Sequence, residues 1–120
     1  MVKKIATQAV YVENQKMALE FWIEKMGFEK GVELDMGNGS SWLEVAPKGA
    51  ESSLVLYPRN LMTDWKERKP SIVFVCDNIE KFCADIKQKG VEFKQELNEM
   101  PWGKFAIIAD NDHNEFVLKG

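Results

Sequence analysis

Residues 5 to 12 form a short, mostly apolar, β-rich run, and a second such run spans 71 to 76. Each leads into a residue suited to cap a helix, Asn14 after the first and Asp77 after the second. Beyond Asn14 the apolar spacing becomes helical: Ala18, Phe21 and Trp22 share a face, Met26 follows a turn later, and a helix over 15–26 is predicted to stop at Gly27. Beyond Asp77, Ile79, Phe82 and Ile86 repeat that spacing and predict a helix over 78–89 ending at Gly90. Asp77 and Glu80 stand at the separation of a capping box, in which the second carboxylate bonds back to the cap's own amide. Three strand-like segments follow each helix, at 28–36, 41–47 and 52–58 and then at 91–97, 104–109 and 114–119. Gly37-Asn38-Gly39, Pro47-Lys48-Gly49 and Asp110-Asn111-Asp112 supply turns between them.

The order β-α-β-β-β thus occurs twice, and the residues themselves repeat. Val10-Tyr11-Val12-Glu13-Asn14 matches Val73-Phe74-Val75-Cys76-Asp77 at an offset of 63, which also pairs Ile23 with Ile86 and Gly27 with Gly90. Leu54-Val55-Leu56 matches Phe116-Val117-Leu118 at an offset of 62. The expected fold is therefore α+β: one domain over 1–120 made of two tandem βαβββ modules, 1–58 and 70–120, each forming a curved mixed sheet. Residues 59–69 join them, with a helical turn expected around Met62 to Lys66. A ferredoxin-like fold, with one strand between its helix and the next crossover, fits three strands per helix poorly.

A chain of 120 residues with 45% hydrophobic and 29% charged positions can bury a core without disulfides or structural metal. Charges of both signs are interspersed and net −3, and no basic cluster is interleaved with aromatics, so nucleic acid is not an expected partner. The basic stretch Lys66 to Lys69, broken by Glu67, reads as a solvated segment. No run approaches the ~20 apolar residues of a membrane span, and the start carries no signal-like apolar run, so a cytoplasmic location away from membranes is expected. Cys76 and Cys83, neither in a CxxC pair nor near a histidine in sequence, read as small buried hydrophobes.

Val12-Glu13-Asn14 through Ala18, Phe21-Trp22 and Met26-Gly27-Phe28 resembles the V-x-D, A-x-x-F-Y and L-G-F run of the vicinal-oxygen-chelate superfamily, which includes glyoxalases, bleomycin-resistance proteins and extradiol dioxygenases. Pro101-Trp102-Gly103, then Asp110-Asn111-Asp112-His113-Asn114 and Phe116-Val117-Leu118, resembles its P-W-G and D-P-D-G-N-x-x-x-L ending. Asn111 stands where the family has Pro, and His113 where it has Gly; the lone histidine reads as a solvated turn residue.

The resemblance implies a site and lets it be checked by position. Metal-dependent members take one ligand from the first and one from the last strand of each module, and those positions fall on Thr7, Pro70, Val55 and Val117. None suits a divalent ion, and a slip of one residue would bring in only Gln8 and Ser71, so neither a metal nor another cofactor is expected. Alternate strand residues would line a cavity in each sheet: Thr7, Ala9 and Tyr11 in one, Pro70, Ile72 and Phe74 in the other. Trp42 and Glu44 share a face of the third strand, Trp102 lies at a mouth position, and Trp22 matches the family's helix tyrosine. The expected substrate-binding set is Tyr11, Trp22, Trp42, Glu44, Ile72, Phe74 and Trp102. The function so implied is sequestration of an aromatic or cationic small molecule by a metal-free homodimer, with no catalytic residue assigned. The alternative is a glyoxalase- or dioxygenase-like lyase or isomerase whose site is divergent or metal-independent, with Glu44 as a possible base.

Overall fold

Both halves fold as β-α-β-β-β in a computed structural model that describes residue 1 and residues 4–120. They form two compact units, Met1–Lys69 and Pro70–Gly120. The first contains β1 (Thr7–Val12), α1 (Gln15–Glu20) running on into a π-helical turn (Phe21–Lys25), β2 (Glu29–Asp35), β3 (Ser41–Ala46) and β4 (Ser53–Pro58). Its sheet has the order β1-β4-β3-β2, with β1 parallel to β4 and the other pairs antiparallel. The strand alternation sorts side chains by face. Val10, Val12, Leu43, Val45, Leu54 and Leu56 are buried with Ala18, Phe21 and Trp22 of the helical segment, while Tyr11, Trp42, Glu44 and Tyr57 are half-buried on the opposite face. Asn14 caps α1, its Oδ1 accepting from the Met17 amide at 3.0 Å. The Gln15 side chain fixes the start of that helix to the sheet: Nε2 donates to the carbonyls of Ser41 and Leu56, both at 2.7 Å, and Oε1 accepts from the Ser41 amide.

The second unit contains β5 (Ile72–Val75), α2 (Ile79–Gln88), β6 (Glu92–Met100), β7 (Gly103–Ala109) and β8 (Glu115–Lys119), in the sheet order β5-β8-β7-β6. Two contacts show which face α2 covers: Lys87 Nζ lies 5.4 Å from the centre of the Phe93 ring, and Lys104 Nζ donates to Glu80 Oε1 at 2.8 Å. Phe93 pairs with Ile108, which pairs with Phe116 and, through it, Ile72, so all share that face. At the end of α2 the Val91 amide bonds the Ile86 carbonyl and the Gly90 amide bonds that of Lys87, the paired bonds of a Schellman motif around Gly90 at φ 86°.

Three expectations change. The cap of α2 is Asn78, not Asp77: its Oδ1 accepts from the Lys81 amide at 3.3 Å. It does so at φ 46°, a left-handed conformation that Asn tolerates better than most residues. Glu80 accordingly forms no capping box with Asp77 and instead pairs with Lys104. The second change concerns register. The caps Asn14 and Asn78 lie 64 positions apart, and the pairs Ala9↔Val55 and Val73↔Val117 place Val73 where Ala9 sits, again 64 along. The terminal glycines Gly27 and Gly90 are 63 apart, because the π-helical turn takes up one extra residue: the Phe28 amide reaches the Trp22 carbonyl, one position further back than the corresponding bond of α2. Third, β6 runs on to Met100, leaving Pro101-Trp102 as a two-residue turn, and the linker forms two short 3-10 turns, Arg59–Leu61 and Trp65–Glu67, in place of one around Met62 to Lys66.

Candidate functional site

The parallel pairing of β1 and β4 sets Tyr11 directly beside Tyr57, and the antiparallel pairing of β3 with β4 sets Glu44 beside Val55, two positions from Tyr57. These residues and Trp42 therefore project from the sheet face away from α1. Their rings form a row: Tyr11 and Tyr57 have centroids 5.9 Å apart at 78°, and Tyr57 and Trp42 6.3 Å apart at 82°. Both contacts are edge-to-face, an arrangement that places the positive edge of one ring on the negative face of the next. Trp42 Nε1 donates to Glu44 Oε2 at 2.8 Å. Trp42 is the only side chain among the described residues that hydrogen-bonds the Glu44 carboxylate, so the carboxylate is fixed in direction and retains acceptor capacity. A half-buried row of three rings ending at an oriented carboxylate can stack a flat molecule and accept an N–H or pair a cation.

The remaining expected residues lie elsewhere. Trp22 is 0% exposed and packs between Phe21 and Phe28, at centroid distances of 5.2 and 4.9 Å, inside the first unit's core. Ile72 and Phe74 are on the α2 side of their sheet and not on the open face. Ile72 pairs with Phe116, and the Phe74 ring stacks on that of Phe116 at 5.6 Å and 16°. The residues that do occupy the open face of β5 are Val73 and Val75, 54% and 82% exposed. The displacement follows from the offset of 64: a slip of one residue carries every side chain of a strand through the sheet. Trp102, 71% exposed, sits in the β6–β7 turn. Tyr57, the middle ring of the row, was not in the expected set. The cue to it is the β1–β4 pairing, which no local pattern discloses.

Residues 4–118 match the Glyoxalase/Bleomycin resistance protein/Dioxygenase superfamily. The chain belongs to this superfamily. Uncharacterized protein YetH of Bacillus subtilis (strain 168) is 50% identical over 119 residues, covering 99% of each chain. Among solved structures, a member of the superfamily from Sphaerobacter thermophilus DSM 20745 superposes with a TM-score of 0.88 at 25% identity, covering 98% of this chain and 97% of its own. TnmS3, an antibiotic binding protein from Streptomyces sp. CB03234, superposes with a TM-score of 0.82 at 29% identity, covering 98% and 95%.

The superfamily's metal-ligand positions do not suit a metal in this chain. The structural match to Thr7 is Ser71, not Pro70, while Val55 and Val117 keep their places on the last strands, opposite Ala9 and Val73. Two hydroxyls and two isopropyl groups form no site for a divalent ion, which calls for imidazole, carboxylate or thiolate. Among the described residues no group of three His, Cys, Asp or Glu side chains is placed to hold one. Of the two thiols, Cys83 is buried and Cys76 half-buried, and burial raises the pKa of both, which disfavours the thiolate.

Proposed function

We propose that this chain is a metal-free binding protein of its superfamily, acting as a homodimer, that sequesters a flat aromatic small molecule carrying an N–H or cationic group. The observation that carries the reading is the Trp42–Glu44 hydrogen bond at the end of the Tyr11–Tyr57–Trp42 row. A carboxylate held by an indole is oriented before any ligand arrives, so less conformational freedom is lost on binding. Each ring stacked on a ligand adds roughly 0.5–1.5 kcal/mol beyond area burial. The similarity to TnmS3, an antibiotic binding protein, supports sequestration. The lack of suitable side chains at the four superfamily ligand positions supports a metal-free state.

The test is a titration with 2-(aminomethyl)anthracene, a flat monocation, followed by fluorescence and calorimetry. Saturable binding is expected, weakened about tenfold by Glu44→Gln, equivalent to roughly 1.4 kcal/mol, and weakened further by Tyr57→Leu. Binding equal in wild type and both variants would remove the ring face as the site. Elemental analysis of untagged protein should give well under one equivalent of zinc, nickel, manganese or iron. A stoichiometric metal would remove the metal-free reading.

A further inference from the structure

Gln15 opens α1 and its side chain reaches two strands of the first unit's sheet. Its Nε2 donates to the carbonyls of Ser41 and Leu56, both at 2.7 Å, while its Oε1 accepts from the Ser41 amide at 3.2 Å. Ser41 and Leu56 are the chain neighbours of Trp42 and Tyr57, the two rings at the Glu44 end of the row. One side chain therefore holds the backbone beside both.

The strand register shows what it replaces. β3 and β4 pair at Val45↔Leu54 and Glu44↔Val55; beyond that point β3 stays with β2 and β4 with β1. Continued, the same register would set Trp42 against Tyr57 and Ser41 against Pro58, whose ring nitrogen has no hydrogen to give the Ser41 carbonyl. The Gln15 amide, with two N–H donors and an acceptor oxygen, stands in for the missing backbone group and closes the seam as a side-chain rung.

We infer that Gln15 is a positioning residue of the ring face: its amide fixes the separation of Trp42 and Tyr57, 6.3 Å between centroids, and with it the indole that directs the Glu44 carboxylate. This rests on the binding function proposed above and adds to it a residue from the helix side of the sheet. Positioning of this kind acts on affinity because groups already in place lose little freedom when a ligand binds.

Gln15→Glu separates this role from a contribution to folding. It keeps the length of the side chain and an acceptor for the Ser41 amide, and it loses both donors. It also places a carboxylate in the first turn of α1, where none stands and where the helix dipole favours one, so its melting temperature should stay close to that of wild type. Two-dimensional NMR of the full chain, with the Trp42 indole N–H signal assigned through Trp42→Phe, should show that signal moved by Gln15→Glu and those of Trp65 and Trp102 unmoved. Affinity for 2-(aminomethyl)anthracene should fall about tenfold. Gln15→Met, similar in length and without an amide, should give the same two changes and serves if Gln15→Glu does not fold. An unmoved Trp42 signal in a folded variant, or unchanged affinity for a probe that wild type binds, overturns the role of Gln15 and leaves the ring-face reading in place. A moved Trp42 signal with no probe bound by wild type upholds the positioning of Trp42 by Gln15 and removes the ring-face reading.

Discussion

Asp110 is the only charged side chain buried among the described residues, and it organises the turn between β7 and β8. Its Oδ1 accepts from the amides of Asp112 and Asn114 at 3.0 and 2.8 Å, and its Oδ2 from Asn114 Nδ2 at 3.0 Å. Burial raises its pKa, and these hydrogen bonds oppose the rise without cancelling it. A carboxyl whose pKa is higher in the folded chain than in the unfolded chain binds its proton more firmly when folded. Its contribution to stability is thus fully present below the unfolded value, about 4, and declines as pH rises through the folded value. Asp110→Asn removes the titration, so urea unfolding of wild type and variant from pH 3.5 to 7 should show the variant gaining on wild type as pH rises. A difference independent of pH would mean that the hydrogen bonds cancel the effect of burial, and wild type gaining on the variant would mean that they exceed it. In the same turn His113 holds φ 64°, the backbone conformation for which the family's glycine is suited.

Most of the elements were legible because their signals are local. β-rich runs and turn residues located the strands to within a few residues, Asn14 and the terminal glycines bounded the helices except at the second cap, which falls on Asn78 and not Asp77, and three strands after each helix identified the class. The face of β5 was not legible, because Val-Tyr-Val and Val-Phe-Val match as strand sequences at either of two offsets. The register is decided by the helix between cap and glycine, which is one residue longer in the first half. At the site, Tyr11, Trp42 and Glu44 could be found by alternation along single strands. Tyr57 required the pairing of β1 with β4, forty-six positions apart. The β6–β7 hairpin offers a direct check on its Pro101-Trp102 turn. An exposed indole at a turn should be dispensable for folding, so Trp102→Ala should change the unfolding free energy by no more than about 0.5 kcal/mol. A substantially larger loss, measured by denaturant titration, would show that the indole is covered in solution.

Each unit covers one face of its sheet with a helix and leaves the other to be covered in some other way. Val73 and Val75 on β5, and Leu34 on β2, are exposed apolar side chains on those open faces. A second copy of the chain would cover such surface, and the isologous contact of a dimer would provide two equivalent sites. Light scattering at micromolar concentration should give about twice the chain mass of 13.8 kDa. A monomer throughout that range would remove the dimer, and with it the proposed source of cover. The π-helical turn of Phe21–Lys25 bears on how such a two-part chain can change length over evolutionary time. An insertion in β1 would move Tyr11 to the helix side and dismantle the ring row. The same insertion in the following helix is absorbed as a bulge before Gly27 and leaves the strands on either side in phase. Insertions and deletions in duplicated halves of this kind are therefore tolerated in the helix and selected against in the strand. The corresponding protein-engineering site, where one residue can be removed with the ring row kept intact, lies within Phe21–Lys25.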